Sequence, residues 1–259
     1  MRREVCFDWQ DPGARAPAPW LNIESLQYTD DARIVSMTTV PDPRIPSPLD
    51  PATRALVRLA AAAAGGAESA VRRAVADAVS ESKQRWVEEV VLQTYLFAGF
   101  PRALNAAREW RRALGGGGAT APAVPEDDLT DYARAPNWRA KGEATCAIVY
   151  GPAYDKLREN IRALHPALDA WMIVEGYGKV LSRPQLDLGR RELCIVAACA
   201  ATSQERQLHS HLHGAMYAGA GPDAVDGTFD ALPGLLTDDQ ERTARLLWAR
   251  VRAHHASPG

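Results

Sequence analysis

The stretch LDPATRALVRLAAAAAG, beginning at Leu49, returns in altered form as LDLGRRELCIVAACAAT, beginning at Leu186. A repeat of this kind uses one supersecondary unit twice, so a fold for the chain must divide into two related halves. Both copies carry apolar residues at helical spacing, and so do their neighbours. In the first half TRALVRLAAAAAG, SAVRRAVADAV, KQRWVEEVVLQTYLFAGF and PRALNAAREWRRAL fit four helices. In the second half AKGEATCAIVYG, AYDKLRENIRAL and PALDAWMIVEGYGKVL precede the repeated helix, and SQERQLHSHLHGAMYAG, PDAVDGTFDAL and TDDQERTARLLWARVRAHH follow it. Alternating runs of β-branched residues are nearly absent, so the predicted fold class is all-α.

The segments between the helical blocks set the domain organisation. Residues 1–48 are rich in Pro and turn formers and read as an extended N-terminal arm, with Trp9, Trp20 and Leu21 as docking residues. Residues 49–114 form the first repeat, 115–127 a Gly/Pro linker and 128–259 the second repeat. Net charge is -2 with both signs interspersed, which argues against nucleic acid and against an anionic membrane surface as partners. MRREVCFDWQ has no apolar run behind it and LAAAAAGGA is too short to span a bilayer, so the expectation is a cytoplasmic protein acting on a small molecule. Cys6, Cys146, Cys194 and Cys199 include no CxxC pair and read as reduced thiols, with Cys194 and Cys199 in the core.

HSHLHGAMYAG, from His209 to Gly219, holds three histidines at alternate positions. On a strand they would share one face and suit zinc, whereas on a helix His211 points away from His209 and His213. Leu208, His211, Leu212, Ala215 and Ala218 form one apolar helical stripe, with Ser203 as N-cap and Gly219 as stop. The helical reading therefore turns His211 inward and His209 and His213 outward, and no metal site is expected. His254 and His255 read as the end of a fraying tail.

An inward histidine is either a satisfied core residue or a proton-transfer group. Glu192 in GRRELCIV favours the second, because antiparallel packing across the short loop at Thr202 would set its carboxylate against His211. Arg183 and Arg191 are candidates to hold a substrate carboxylate, with a surface ion pair as the other reading of Arg191.

These residues carry a family resemblance. YGKVLSRPQLDLGRRELCIVAACAAT followed by HLHGAMYAGAGPDAV, and EEVVLQTYLFAGFPRALNAAREW in the first half, resemble the carboxymuconolactone decarboxylase-like proteins of the AhpD-like (alkyl hydroperoxidase D) fold. The resemblance implies a helical bundle of two tandem repeats, with Glu192 and His211 as the catalytic proton pair and no cofactor. The peroxidase branch of that family carries a CxxC ahead of its histidine; Gln204 and Gln207 stand at those positions here. In the first copy Ala55 stands at the position of Glu192 and Arg72 at that of His211, while the second copy has GTFDALPGLLTDD in place of the segment FAGFPRALNA, so each copy keeps what the other lacks.

The implied function is a decarboxylase, lyase or isomerase acting on a small carboxylated substrate in one composite pocket. Tyr177 and Arg183 would line it, with Gln93, Tyr95, Phe97 and Asn105 as walls from copy one or a neighbouring subunit. The family's trimers and hexamers imply a homo-oligomer, a trimer of tandem chains with six pseudo-equivalent units. The alternatives are a non-catalytic oligomeric ligand-binding or scaffold protein and an alkyl hydroperoxidase-like antioxidant protein.

Overall fold

The computed structural model describes residues 49–115 and 131–256. The expected N-terminal arm and nearly all of the Gly/Pro linker lie outside those residues. The described chain is all-α, as the sequence period requires. Its helices are α1 (Pro51–Gly65), α2 (Glu68–Glu81), α3 (Gln84–Ala113), α4 (Ala135–Tyr150), α5 (Tyr154–Leu164), α6 (Pro166–Trp171), α7 (Leu188–Ala201), α8 (Glu205–Tyr217), α9 (Pro222–Asp230) and α10 (Asp238–Ala256). Between α6 and α7 the chain runs as a π-helical segment, Met172–Leu181. No helix among the described residues is long and apolar enough to cross a membrane.

The repeat visible in the sequence is a repeat in structure. Asp50 caps α1 by accepting from the Thr53 amide at 2.8 Å, and Asp187 caps α7 by accepting from the Arg190 amide at the same 2.8 Å. The two capped helices pack on each other at the centre of the molecule. Arg190 stitches their starts together, donating from Nε to Thr53 Oγ1 at 2.8 Å and approaching Asp50 Oδ2 to 3.4 Å. At the other end Gly65 lies on the α7 backbone, where a Cβ would stand 2.4 Å from the Ala201 carbonyl oxygen.

Every residue of α7 from Gly189 to Ala201 is buried. A helix buried on all sides can carry no free polar face, which explains LCIVAACAA and makes each charge on it a group that must be answered by a neighbour. In α3 the backbone turns sharply at Gly99, which has φ 79° and ψ 164°, and Pro101 restarts the helix beyond it. The bend joins the two helices expected from KQRWVEEVVLQTYLFAGF and PRALNAAREWRRAL. The half before it faces α7 through Glu89 and Gln93, and the half after it faces α2 through Glu109.

Two glycines set the seat of the π-helical segment on α4. A Cβ at Gly142 would lie 2.1 Å from the Ile173 carbonyl oxygen, and one at Gly178 would lie 2.2 Å from that of Trp138. Both obstacles are backbone and cannot swing aside. Gly142→Ala is therefore expected to cost at least about 1–3 kcal/mol by overpacking, read as a lower urea midpoint; an unchanged midpoint would mean that the two elements are not in contact there.

Candidate active site

Glu192 sits one turn into α7 and His211 in the middle of α8, and the connection Thr202–Gln204 brings the helices back against each other. Ser203 makes that turn with φ 55°, held by Gln240, whose Nε2 donates to Ser203 Oγ at 3.2 Å and to the Ala201 carbonyl at 3.1 Å. Ser203 is thus not the N-cap expected from the sequence; Gln204 precedes α8 and contributes no side-chain cap bond. The resulting packing sets His211 Nδ1 2.7 Å from Glu192 Oε2. Glu192 is fully buried and His211 is 4% exposed.

Sequence reasoning missed the residue that permits this approach. A Cβ on Gly214 would come within 2.6 Å of Glu192 Oε2 and 2.7 Å of Val149 Cγ1, so the carboxylate lies in space that only glycine leaves open. The signal was present, since a glycine inside a helical stretch costs about 1 kcal/mol against alanine and usually has a packing reason.

Aromatic rings close the site. Phe97 meets the His211 ring edge-on at 5.4 Å and Tyr150 lies 6.3 Å from it. Tyr150 meets Tyr177 edge-on at 6.3 Å, and burial pushes both phenols above their ordinary range, so they stay protonated. Burial likewise raises the Cys146 and Cys199 thiols, Cys199 to about 12, with the Glu192 charge adding to the effect in both. These are neutral thiols, not the thiolates that peroxide chemistry needs. The second carboxylate oxygen, Glu192 Oε1, is buried and has no hydrogen-bond partner among the described residues. A buried acceptor in that state is uncommon and marks a place for a further donor.

The remaining expected site residues divide. Gln93 is buried beside α7, donating from Nε2 to the Arg191 carbonyl at 3.4 Å and accepting from Arg191 Nη1 at 3.3 Å. Arg183 lies on Glu89, with Nε 2.9 Å from both carboxylate oxygens. Arg191 is fully buried, with Nη2 on Glu89 Oε2 at 2.8 Å and on the Arg183 carbonyl at 2.9 Å. The reading of Arg191 as a surface ion pair is corrected: it is a core cation whose charge burial disfavours, with Glu89 opposing that effect in part. Tyr95 stacks on Phe100 at 4.8 Å, half-buried near the bend of α3. Asn105 lies past that bend, exposed, accepting from Arg108 Nη1 at 3.2 Å in a different cleft.

His213 was expected to face away and instead is buried. The reason is that α8 packs on α7 and α4 with one face and on α10 with another, so it has two inward sides. His213 Nδ1 lies 2.9 Å from His255 Nε2, and the His209 and His254 rings stand 5.0 and 5.4 Å from the His213 ring. His254 and His255 accordingly belong to α10 and not to a frayed tail. Among the described residues, no group of three or more His, Cys, Asp or Glu is placed to hold a metal ion.

An all-α bundle of two related repeats is consistent with the AhpD-like fold. The chain belongs to the carboxymuconolactone decarboxylase family, whose profile matches it twice, over residues 40–112 and 166–249, together more than half of its length. The two matches fall on the two repeats. No curated protein is detectably similar to the chain.

Burial, then the neighbouring histidines, hold His213 down at about 3. An unfolded histidine protonates near 6.5, so between about pH 6.5 and 3 the unfolded chain binds a proton that the folded chain does not. Stability should therefore be full above that window and fall by up to about 1.4 kcal/mol per pH unit within it, measured by denaturant titration. His213→Gln should show a shallower fall between pH 6 and 4.5; slopes identical to the unsubstituted protein would contradict the assignment.

Proposed function

We propose that the chain is a cofactor-independent decarboxylase or closely related lyase or isomerase, using Glu192 and His211 to move a proton on a small carboxylated, unsaturated substrate. The single observation that carries this reading is the 2.7 Å contact between Glu192 Oε2 and His211 Nδ1 in a core closed to bulk water. The carboxylate accepts the Nδ1 proton, which leaves Nε2 as the nitrogen that takes up or delivers a proton, and it stabilises the imidazolium that forms. Nε2 makes no hydrogen bond to another described residue.

In the decarboxylation the bond from carbon to the leaving carboxylate breaks. Its electron pair passes into the conjugated carbonyl and CO2 departs. His211, which takes a proton from water onto Nε2 when the site opens to admit substrate, delivers that proton to the carbon that becomes nucleophilic, and water restores it when the product leaves. Phe97, Tyr150 and Tyr177 fit a flat, unsaturated ring, and the unpartnered Glu192 Oε1 fits a donor on the substrate or a water carried in with it. Of the pocket residues expected from the sequence, Phe97 lies against the His211 ring and Tyr177 stands one ring further out, against Tyr150. Raised thiol pKa values weigh against the peroxidase alternative.

The near-complete burial of His211 favours one other reading, a ligand-holding protein that opens to bind and performs no chemistry. CO2 release and solvent-deuterium incorporation over a panel of unsaturated lactone carboxylates separate the two. Catalysis predicts turnover that falls at least about 100-fold in His211→Gln and in Glu192→Gln, with the far-UV circular dichroism of both variants unchanged. Full activity in either variant would remove the acid–base assignment.

A further inference from the structure

The first repeat, which has neither the glutamate nor the histidine, has a cleft of its own. It measures about 250 Å3 and lies between the start of α2 and the half of α3 beyond the Gly99 bend. Three guanidiniums reach it, from Arg102, Arg108 and Arg112, along with the Asn105 amide. Its two carboxylates are already answered. Glu109, at 4% exposure, receives Arg72 Nε at 3.1 Å and is also bonded to Arg112. Glu68 lies 3.5 Å from Arg72 Nη2. The hydrogen bonds of Arg72 and Arg112 hold the Glu109 carboxyl below its usual range, so it remains an anion that neutralises them.

Arg102 and Arg108 have no carboxylate partner among the described residues. Arg102 is positioned instead by a carbonyl, donating from Nη1 to the Gly66 oxygen at 2.5 Å, which sets its guanidinium across the first turn of α2. Ala67 precedes that helix and offers no side-chain cap, so its first amides have no side-chain partner. Cationic groups, an amide and a helix start converging on one concave surface are the donor set for an oxyanion.

We propose that this cleft binds a small multivalent oxyanion, a phosphate or a compact di- or tricarboxylate, making the degenerate repeat a binding module beside the Glu192–His211 site of the other repeat. The register of the duplication supports it, because Arg72, at the position of His211, pairs with Glu109 to form part of the cleft's charge framework while Ala55 leaves no acid on α1. The histidine's position has thereby become one half of the Arg72–Glu109 ion pair, beside which Arg102 and Arg108 face a ligand without a carboxylate of their own.

Isothermal titration at constant ionic strength tests this with inorganic phosphate, malonate and, as a monovalent control, acetate. Saturable binding of phosphate or malonate is expected, with acetate at least tenfold weaker, and the preferred probe identifies the oxyanion class. Arg102→Gln/Arg108→Gln should weaken the preferred probe at least tenfold. Asn105→Asp, at an exposed position that leaves packing intact, should do the same by bringing a negative charge into the cleft. His211→Gln should bind as the unsubstituted protein does. No saturable binding of either probe, undiminished binding in both cleft variants, or loss of binding in His211→Gln alone would overturn the proposal.

Discussion

A helix buried on every side forces each polar group on it to find a partner inside the protein, and α7 carries three such groups in succession: Arg190, Arg191 and Glu192. Each is met by a different element. Arg190 turns to the start of α1, Arg191 to Glu89 and Gln93 on α3, and Glu192 to His211 on α8. The three contacts orient the surrounding helices about α7. Removing one partner of such a buried pair is costly, commonly about 3–5 kcal/mol, because the other charge is left without water or counter-ion. The same burial gives the Glu192–His211 pair the dry surroundings in which a carboxylate binds an imidazolium strongly.

Duplication gives this arrangement its asymmetry. The caps at Asp50 and Asp187 and the contact of α1 with α7 preserve the common plan. The side chains that would do chemistry differ: Ala55 and Arg72 occupy in the first repeat what Glu192 and His211 occupy in the second. The first repeat nevertheless reaches the second repeat's site, because α3 places Phe97 on the His211 ring and Glu89 under Arg191. The first half thus contributes a ring to the surroundings of the second half's carboxylate–imidazole pair.

Much of this was legible in the sequence, and the reasons are physical. Helical period is a local property, so the helix order, the repeat and the burial of Cys194 and Cys199 could be read from spacing. Glu192 and His211 could be paired because a three-residue connection leaves two helices little choice but to run back on each other. What failed depended on non-local packing. Nothing near His213 announces that α10 will cover a second face of α8, and nothing near Asn105 announces that the bend at Gly99 carries it away from Phe97 and into another cleft. Ser203 resembled an N-cap by residue type, yet its left-handed backbone is set by the turn out of α7. Arg191 read equally as a substrate clamp or a surface charge, because nothing local announces Glu89 and Gln93 on a distant helix, whose acceptors make its burial tolerable.

The account rests on Glu192 holding the proton of His211 at Nδ1, which makes Nε2 the working nitrogen. Nitrogen-15 and proton NMR of the histidine side chains at neutral pH reads this directly. The account predicts that the neutral His211 ring carries its proton on Nδ1, in a hydrogen bond strong enough to protect it from solvent exchange, and that the signal shifts in Glu192→Gln. A His211 ring protonated on Nε2, with Nδ1 accepting from a protonated Glu192, would contradict it.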